Sequence, residues 1–89
     1  MNNFWVYIIY SHSLDKYYVG YTIDLKKRLT EHNDGISIYT SKTTDWELKL
    51  SEKYHNREQA MQREKQIKKK KSRKYIEWLI SSPDNYRDG

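Results

Sequence analysis

At 89 residues and 10.9 kDa, the chain has room for one small domain but not for a catalytic domain beside a separate recognition domain. It has no cysteine, which excludes disulfides and thiolate metal sites as staples. Lys and Arg number 17 against 12 acidic residues, and the excess lies entirely in the second half: residues 1–45 carry five of each sign, residues 46–89 twelve basic and seven acidic. Such a bias favours a polyanionic partner, nucleic acid or an anionic membrane surface. The longest apolar run, Phe4 to Tyr10, falls far short of the roughly 20 residues a membrane-spanning helix needs. Nothing resembles a signal peptide, so a soluble cytoplasmic protein is expected, with no membrane partner.

No repeat or Pro/Gly-rich linker divides the chain, and the sole proline is Pro83. One domain over residues 1–82 with a polar tail at 83–89 is expected. Phe4 to Tyr10 is aromatic and β-branched throughout, which suits a strand covered on both faces. After a polar turn at Ser11 to Lys16, Tyr17 to Tyr21 reads as a second strand closing an antiparallel hairpin. Gly20 within it marks a bulge or a place of close backbone approach. Asp24 can cap a helix running to Asn33 or Asp34, with Gly35 as its left-handed terminator. Ile36 to Asp45 reads as a loop. Trp46, Leu48, Leu50 and Tyr54 alternate with Glu47, Lys49, Ser51 and Lys53, a period-2 pattern for a third strand with one wet face. Asn56 and Gln59 resemble a capping box opening a second helix that runs through the lysine tract, and Ser72 can cap a third carrying Tyr75, Ile76 and Leu79. The fold class is α+β: a small three-stranded antiparallel sheet flanked by helices, in the order β-β-α-β-α-α.

Two helices place charge where a core stripe belongs. With about 100° per residue and Leu25 at zero, Leu29 falls near +40°, Arg28 near −60° and His32 near −20°, all on one inward face. Lys26, Lys27, Thr30 and Glu31 fall on the solvated side. In the second helix, with Ala60 at zero, Glu64 lies near +40° and Ile67 near −20°. An inward cation needs a partner, because burying an unpaired charge costs several kcal/mol. Glu64 could neutralise Arg28 as a buried ion pair; the same set would equally suit a site for a metal ion or a phosphate.

These residues carry a resemblance. Trp5-Val6-Tyr7, Tyr18-Val19-Gly20, Arg28 with His32 four residues on, and Glu64 within Ala60 to Lys65 are similar, in this order, to the GIY-YIG nuclease superfamily, in particular its small stand-alone URI-type members. The match runs from Trp5 to Leu79, with Trp5 and Val6 replacing the Gly and Ile of the name motif. The resemblance implies an endonuclease that hydrolyses phosphodiester bonds of nucleic acid, DNA by first expectation, with a divalent cation, Mg²⁺ or Mn²⁺, as cofactor. Glu64 is then the metal ligand and Arg28 faces the phosphate. Tyr7 orients or deprotonates the attacking water beside Tyr18; a tyrosine of pKa about 10 acts as a base only with help from nearby positive charge. His32 relays a proton from Tyr7, hydrogen-bonds Tyr18, or is a structural histidine. Tyr39-Thr40 resembles a short segment of the stand-alone members that could line the substrate groove. His12 and His55 receive no role, and Tyr10, Tyr17, Tyr21, Tyr54 and Tyr75 are read as packing.

Residues 63–74 hold eight Lys or Arg against Glu64 alone. Lys65, Lys68, Lys69, Lys70 and Lys71 are either a solvated helix end, favoured by the helix dipole, or a patch contacting phosphates. The alternative to a nuclease is a nucleic-acid-binding module of the same fold that is non-catalytic or depends on a partner. A third reading is a structural or protein-interaction domain in which Arg28 and Glu64 pair.

Overall fold

The structure, a computed structural model, describes residues 3–35 and 41–82. Strands β1 (Phe4–Ser11), β2 (Lys16–Thr22) and β3 (Trp46–Tyr54) form one antiparallel sheet in the order β2-β1-β3, with β1 central. Helices α1 (Leu25–Asn33), α2 (Arg57–Lys70) and α3 (Arg73–Ser81) complete the order β-β-α-β-α-α expected from the pattern.

Local chemistry sets each boundary. Asp24, Asn56 and Ser72 are the three helix N-caps, and their side chains accept from the backbone N–H of Lys27, Gln59 and Tyr75 respectively. Each cap satisfies one of the orphan donors that open a helix, an interaction of about 1 kcal/mol. Gly35, at φ +76°, takes the left-handed conformation just past α1. Helix α2 stops one residue short of the end of the lysine tract, because Lys71 adopts a left-handed backbone (φ 48°) and hands the chain over to α3.

The central strand is buried on both faces, and its alternating side chains seed two clusters. On one face Val6 and Ile8 pack with Val19, Leu50, Ala60, Ile67 and Leu79, joined at the margin by Tyr17, Tyr75 and Ile76. On the other, Tyr7, Ile9 and Trp46 pack with Tyr18, Leu25 and Leu29. Helix α1 therefore covers the face opposite that of α2 and α3.

The third strand departs from a single alternation. Ile8 pairs with Leu50 but Ile9 pairs with Leu48, so Lys49 is an extra residue in β3 and the register shifts there. A one-residue bulge reverses which face each following side chain takes. Leu50 consequently faces the α2 side, and Trp46, although an even number of residues away, packs on the α1 side. The expected inward stripe of Trp46, Leu48, Leu50 and Tyr54 is thus split, and Leu48 is exposed. The same strand buries Glu52, whose carboxylate accepts from Arg63 Nε at 2.8 Å and Nη2 at 3.2 Å and from the Tyr54 hydroxyl at 3.0 Å.

Two polar devices anchor the loops. The Asn33 side chain accepts from Trp46 N at 2.7 Å and donates to Trp46 O at 3.0 Å, tying the end of α1 to the start of β3. Asp45 accepts from Ser11 Oγ, Thr43 Oγ1 and the Ser13 backbone N–H, and these bonds hold its carboxyl well below the usual carboxylate range.

Candidate active site

Tyr7 and Gly20 are paired residues of β1 and β2, and Tyr18 lies two residues from Gly20 on the same side of the edge strand β2. Gly20 is the place of close approach, and no bulge occurs in the β1–β2 ladder. A Cβ at Gly20 would meet the Tyr7 hydroxyl at 2.6 Å and the Tyr18 ring at 3.2 Å. The missing side chain is the space that the Tyr7 hydroxyl occupies.

Helix α1 supplies the opposing wall. His32 is fully buried, and its Nε2 lies 2.8 Å from the Tyr7 hydroxyl. The Tyr18 ring meets the imidazole edge-on at a centroid distance of 5.0 Å and sits 6.4 Å from the Tyr7 ring. Of the two hydrogen bonds open to His32 at the level of sequence, the structure forms the one to Tyr7.

Burial governs the protonation of this pair. It pushes the Tyr7 hydroxyl up to about 12; the Arg28 guanidinium beside it works in the lowering direction, and Tyr18 and Glu64 oppose it. The positive charge of Arg28, expected to help Tyr7 ionise, is outweighed by the removal of water from around the phenol. Burial, reinforced by Arg28, presses His32 down to about 4. Both partners are neutral near pH 7, and the imidazole tautomer sets which of the two donates.

Arg28 is half-buried, and its Nη1 donates to Glu31 Oε1 at 2.9 Å. The ion pair between Arg28 and Glu64 considered from the helical wheel is not formed. Glu31, placed on the solvated side by the wheel, instead curls back one turn to meet Arg28, as residues three apart on a helix can. Together they line a small cavity of about 230 Å³ with Thr22, Asp24 and Lys27.

Glu64 projects from α2 with its side chain 17% exposed, and Lys68 Nζ lies 3.4 Å from its Oε2. The same ammonium sits 5.7 Å from the centre of the Tyr18 ring, so Glu64 and Lys68 border the edge strand that carries Tyr18. Among the described residues no three His, Asp or Glu side chains cluster as a preformed metal cage. A single carboxylate nonetheless matches what Mg²⁺ takes from proteins, because that ion keeps most of its waters and completes its shell with substrate phosphate. Lys65, Lys68, Lys69, Lys70 and Lys71 are all exposed; Lys70 Nζ lies 5.5 Å from the centre of the Tyr75 ring. Tyr39 and Thr40 lie outside the described residues.

Sequence reasoning missed Glu31 as the partner of Arg28 and the Glu52–Arg63 pair that fixes α2 to the sheet. The even spacing of Glu52 from Leu50 was the available signal for the second, since it placed a carboxylate on a strand's covered face.

Comparison with known proteins places the chain in a family. Residues 3–76 match the family model described as the GIY-YIG catalytic domain. UPF0213 protein YazA of Bacillus subtilis is 38% identical over 80 residues, a match that spans 85% of this chain and 80% of that protein. A UPF0213 protein of Streptococcus pneumoniae is 35% identical over 69 residues, covering 76% of this chain and 70% of the relative. The solution NMR structure of UPF0213 protein BH0048 from Bacillus halodurans superposes with a TM-score of 0.56 at 31% identity, covering 89% of this chain and 83% of that one. A nuclease-family domain matched over most of the chain, on the same α+β fold, makes this protein a member of the GIY-YIG family.

Proposed function

We propose that the protein is a metal-dependent endonuclease that hydrolyses phosphodiester bonds of nucleic acid, with DNA as the first substrate to test. The observation that carries this reading is the buried contact of 2.8 Å between Tyr7 and His32, flanked by Tyr18 and Arg28. A phenol of pKa about 12 is a poor base alone. It can take a proton from water only as its own proton leaves, and His32, 2.8 Å away, would receive it in the tautomer that leaves Nε2 unprotonated, against the burial that otherwise keeps the ring neutral. Water oxygen then forms the new bond to phosphorus, the water proton passes to the Tyr7 oxygen and the Tyr7 proton to Nε2, while the leaving oxygen departs with the electron pair of the broken P–O bond and takes its proton from solvent. Tyr18 packs against the imidazole and holds the ring in this orientation. Arg28 would leave Glu31 for the phosphate, placing a fork of N–H donors on oxygens whose charge grows in the transition state. Glu64 would hold a divalent cation, which when bound supplies Lewis-acid stabilisation of the phosphate and leaving oxygens.

The test is a low-salt cleavage assay on end-labelled single-stranded, duplex and branched DNA and on RNA, with Mg²⁺ or Mn²⁺. Glu64→Gln and Tyr7→Phe serve as controls against contaminating nuclease. Cleavage by the parent and by neither variant is expected. Burial of the Tyr7 hydroxyl favours a second reading, in which a partner or a particular substrate must expose the site. Absence of cleavage with retained salt-sensitive binding would support that reading over the first.

A further inference from the structure

Beside the Tyr7–His32 pair, on the other side of Tyr18, a cleft of about 420 Å³ opens between β2, the end of α2 and the start of α3. Its size falls in the range of about 300 to 1,000 Å³ typical of small-molecule sites. Much of the lining is apolar or aromatic: Val19, Ile67, Ile76 and Tyr17, with Tyr18 from the edge strand. Lys16 and Lys71 stand around it as cations, with Lys68, whose ammonium lies 3.4 Å from the Glu64 carboxylate. The carboxylate at the rim, Asp15, is already neutralised, since it accepts from Arg73 Nη2 at 2.6 Å. A flat apolar floor under a cationic rim complements one ligand chemistry in particular, an unsaturated ring carrying a phosphate.

We propose that this cleft is a nucleotide subsite that receives one nucleotide of the substrate strand whose base has left the stack, next to the bond being cut. The identity of the strand rests on the nuclease reading above; the cleft and its charge do not. Tyr18 is the link, because its ring lies 5.0 Å from the imidazole of His32 and 5.7 Å from the ammonium of Lys68, which lines the cleft. An apolar floor takes the face of a ring, and a base offers its face only where it has left the stack. Stacking on aromatic side chains tolerates any base, so the subsite selects for local unpairing rather than for sequence.

The experiment is a titration of the ¹⁵N-labelled 89-residue protein without added divalent cation, followed by amide chemical shifts, with thymidine 5′-monophosphate and separately with inorganic phosphate. The expected result is saturable shifts at residues 16–19 and 67–76 that thymidine monophosphate produces at lower concentration than phosphate does. The double variant Lys16→Gln, Lys71→Gly should weaken that binding by about tenfold. It should remain folded, because both positions are exposed and glycine suits the left-handed backbone of residue 71. Equal responses to phosphate and nucleotide, shifts confined to the surroundings of Arg28 and His32, or no shifts at the cleft would each overturn the proposal. The readout is binding, so failure of the parent to cleave would overturn the nuclease reading and leave this result standing; cleavage without cleft shifts would do the reverse.

Discussion

The backbone of Gly20 lies against the Tyr7 hydroxyl, and a Cβ there would sit 2.6 Å from the phenolic oxygen and 2.9 Å from the ring carbon that bears it. Neither distance is tolerable without movement, and the Tyr7 ring is held on its far side by the buried core. Gly20→Ala should therefore push the hydroxyl off His32. We expect a loss of about 1 to 3 kcal/mol in stability, as for other overpacked sites. Cleavage should fall at least about tenfold at saturating substrate, with affinity for nucleic acid nearly unchanged. Denaturant melts and a kcat against KM comparison check this; an alanine variant with full kcat would remove the Tyr7 position from the chemistry.

His32 links stability to pH. Its pKa is depressed from 6.5 in the unfolded chain to about 4, so the unfolded state binds the proton first as pH falls. The contribution is complete above about pH 6.5, declines through the interval down to about 4, and is lost below it, a total of up to about 3 kcal/mol. Urea melts of the parent near pH 7.5 and near pH 4.5 should differ by more than those of His32→Gln. Equal losses in the two proteins would show that His32 does not carry the linkage.

The Glu52–Arg63 pair has its carboxylate nearly out of water, at 6% side-chain exposure, and its guanidinium at 19%. Arg63→Met strands that carboxylate with the Tyr54 hydroxyl as its remaining donor, and should cost about 3 to 5 kcal/mol. Adding Glu52→Leu to the same chain should recover much of it, because two apolar side chains need no partners. A double variant no more stable than Arg63→Met would show that the loss came from packing on α2 instead.

The exposed lysines at 68–71 should govern salt dependence rather than chemistry. Replacing all four with glutamine should flatten the plot of log affinity against log salt by about 0.7 to 0.9 for each phosphate that these ammonium groups neutralise in the parent. An unchanged slope would take the tract off the binding surface.

Much of the fold was legible in the chain because its signals are local. Asp24, Asn56 and Ser72 stand at helix starts for a reason confined to one turn of backbone, and Phe4 to Tyr10 declares a doubly covered strand by composition. The inward turn of His32 followed from helical spacing alone. Arg28 finding Glu31 did not, since a wheel gives the direction of a Cβ and not the reach of a long side chain. Nor did the two-phase strand, because the extra residue Lys49 is visible only against its partner strand. Burial around Tyr7 was likewise beyond reach: it depends on both strands and the helix above them at once, and it outweighs the expected effect of Arg28 on the phenol.

The misfit at Lys49 gives β3 something like a reading frame. Residues on its N-terminal side are in phase with the layer that holds the Tyr7–His32 pair, and those on its C-terminal side with the layer that anchors α2. Deleting Lys49 would join the two phases directly, with Ile9 still opposite Leu48 and Ser11 still opposite Trp46, whereas deleting Glu47 would turn Trp46 away from the layer that holds Tyr7 and Ile9. Length between Trp46 and Leu48 is thus under tighter constraint than length at the bulge, where a residue can be lost without moving a ring from one layer to the other.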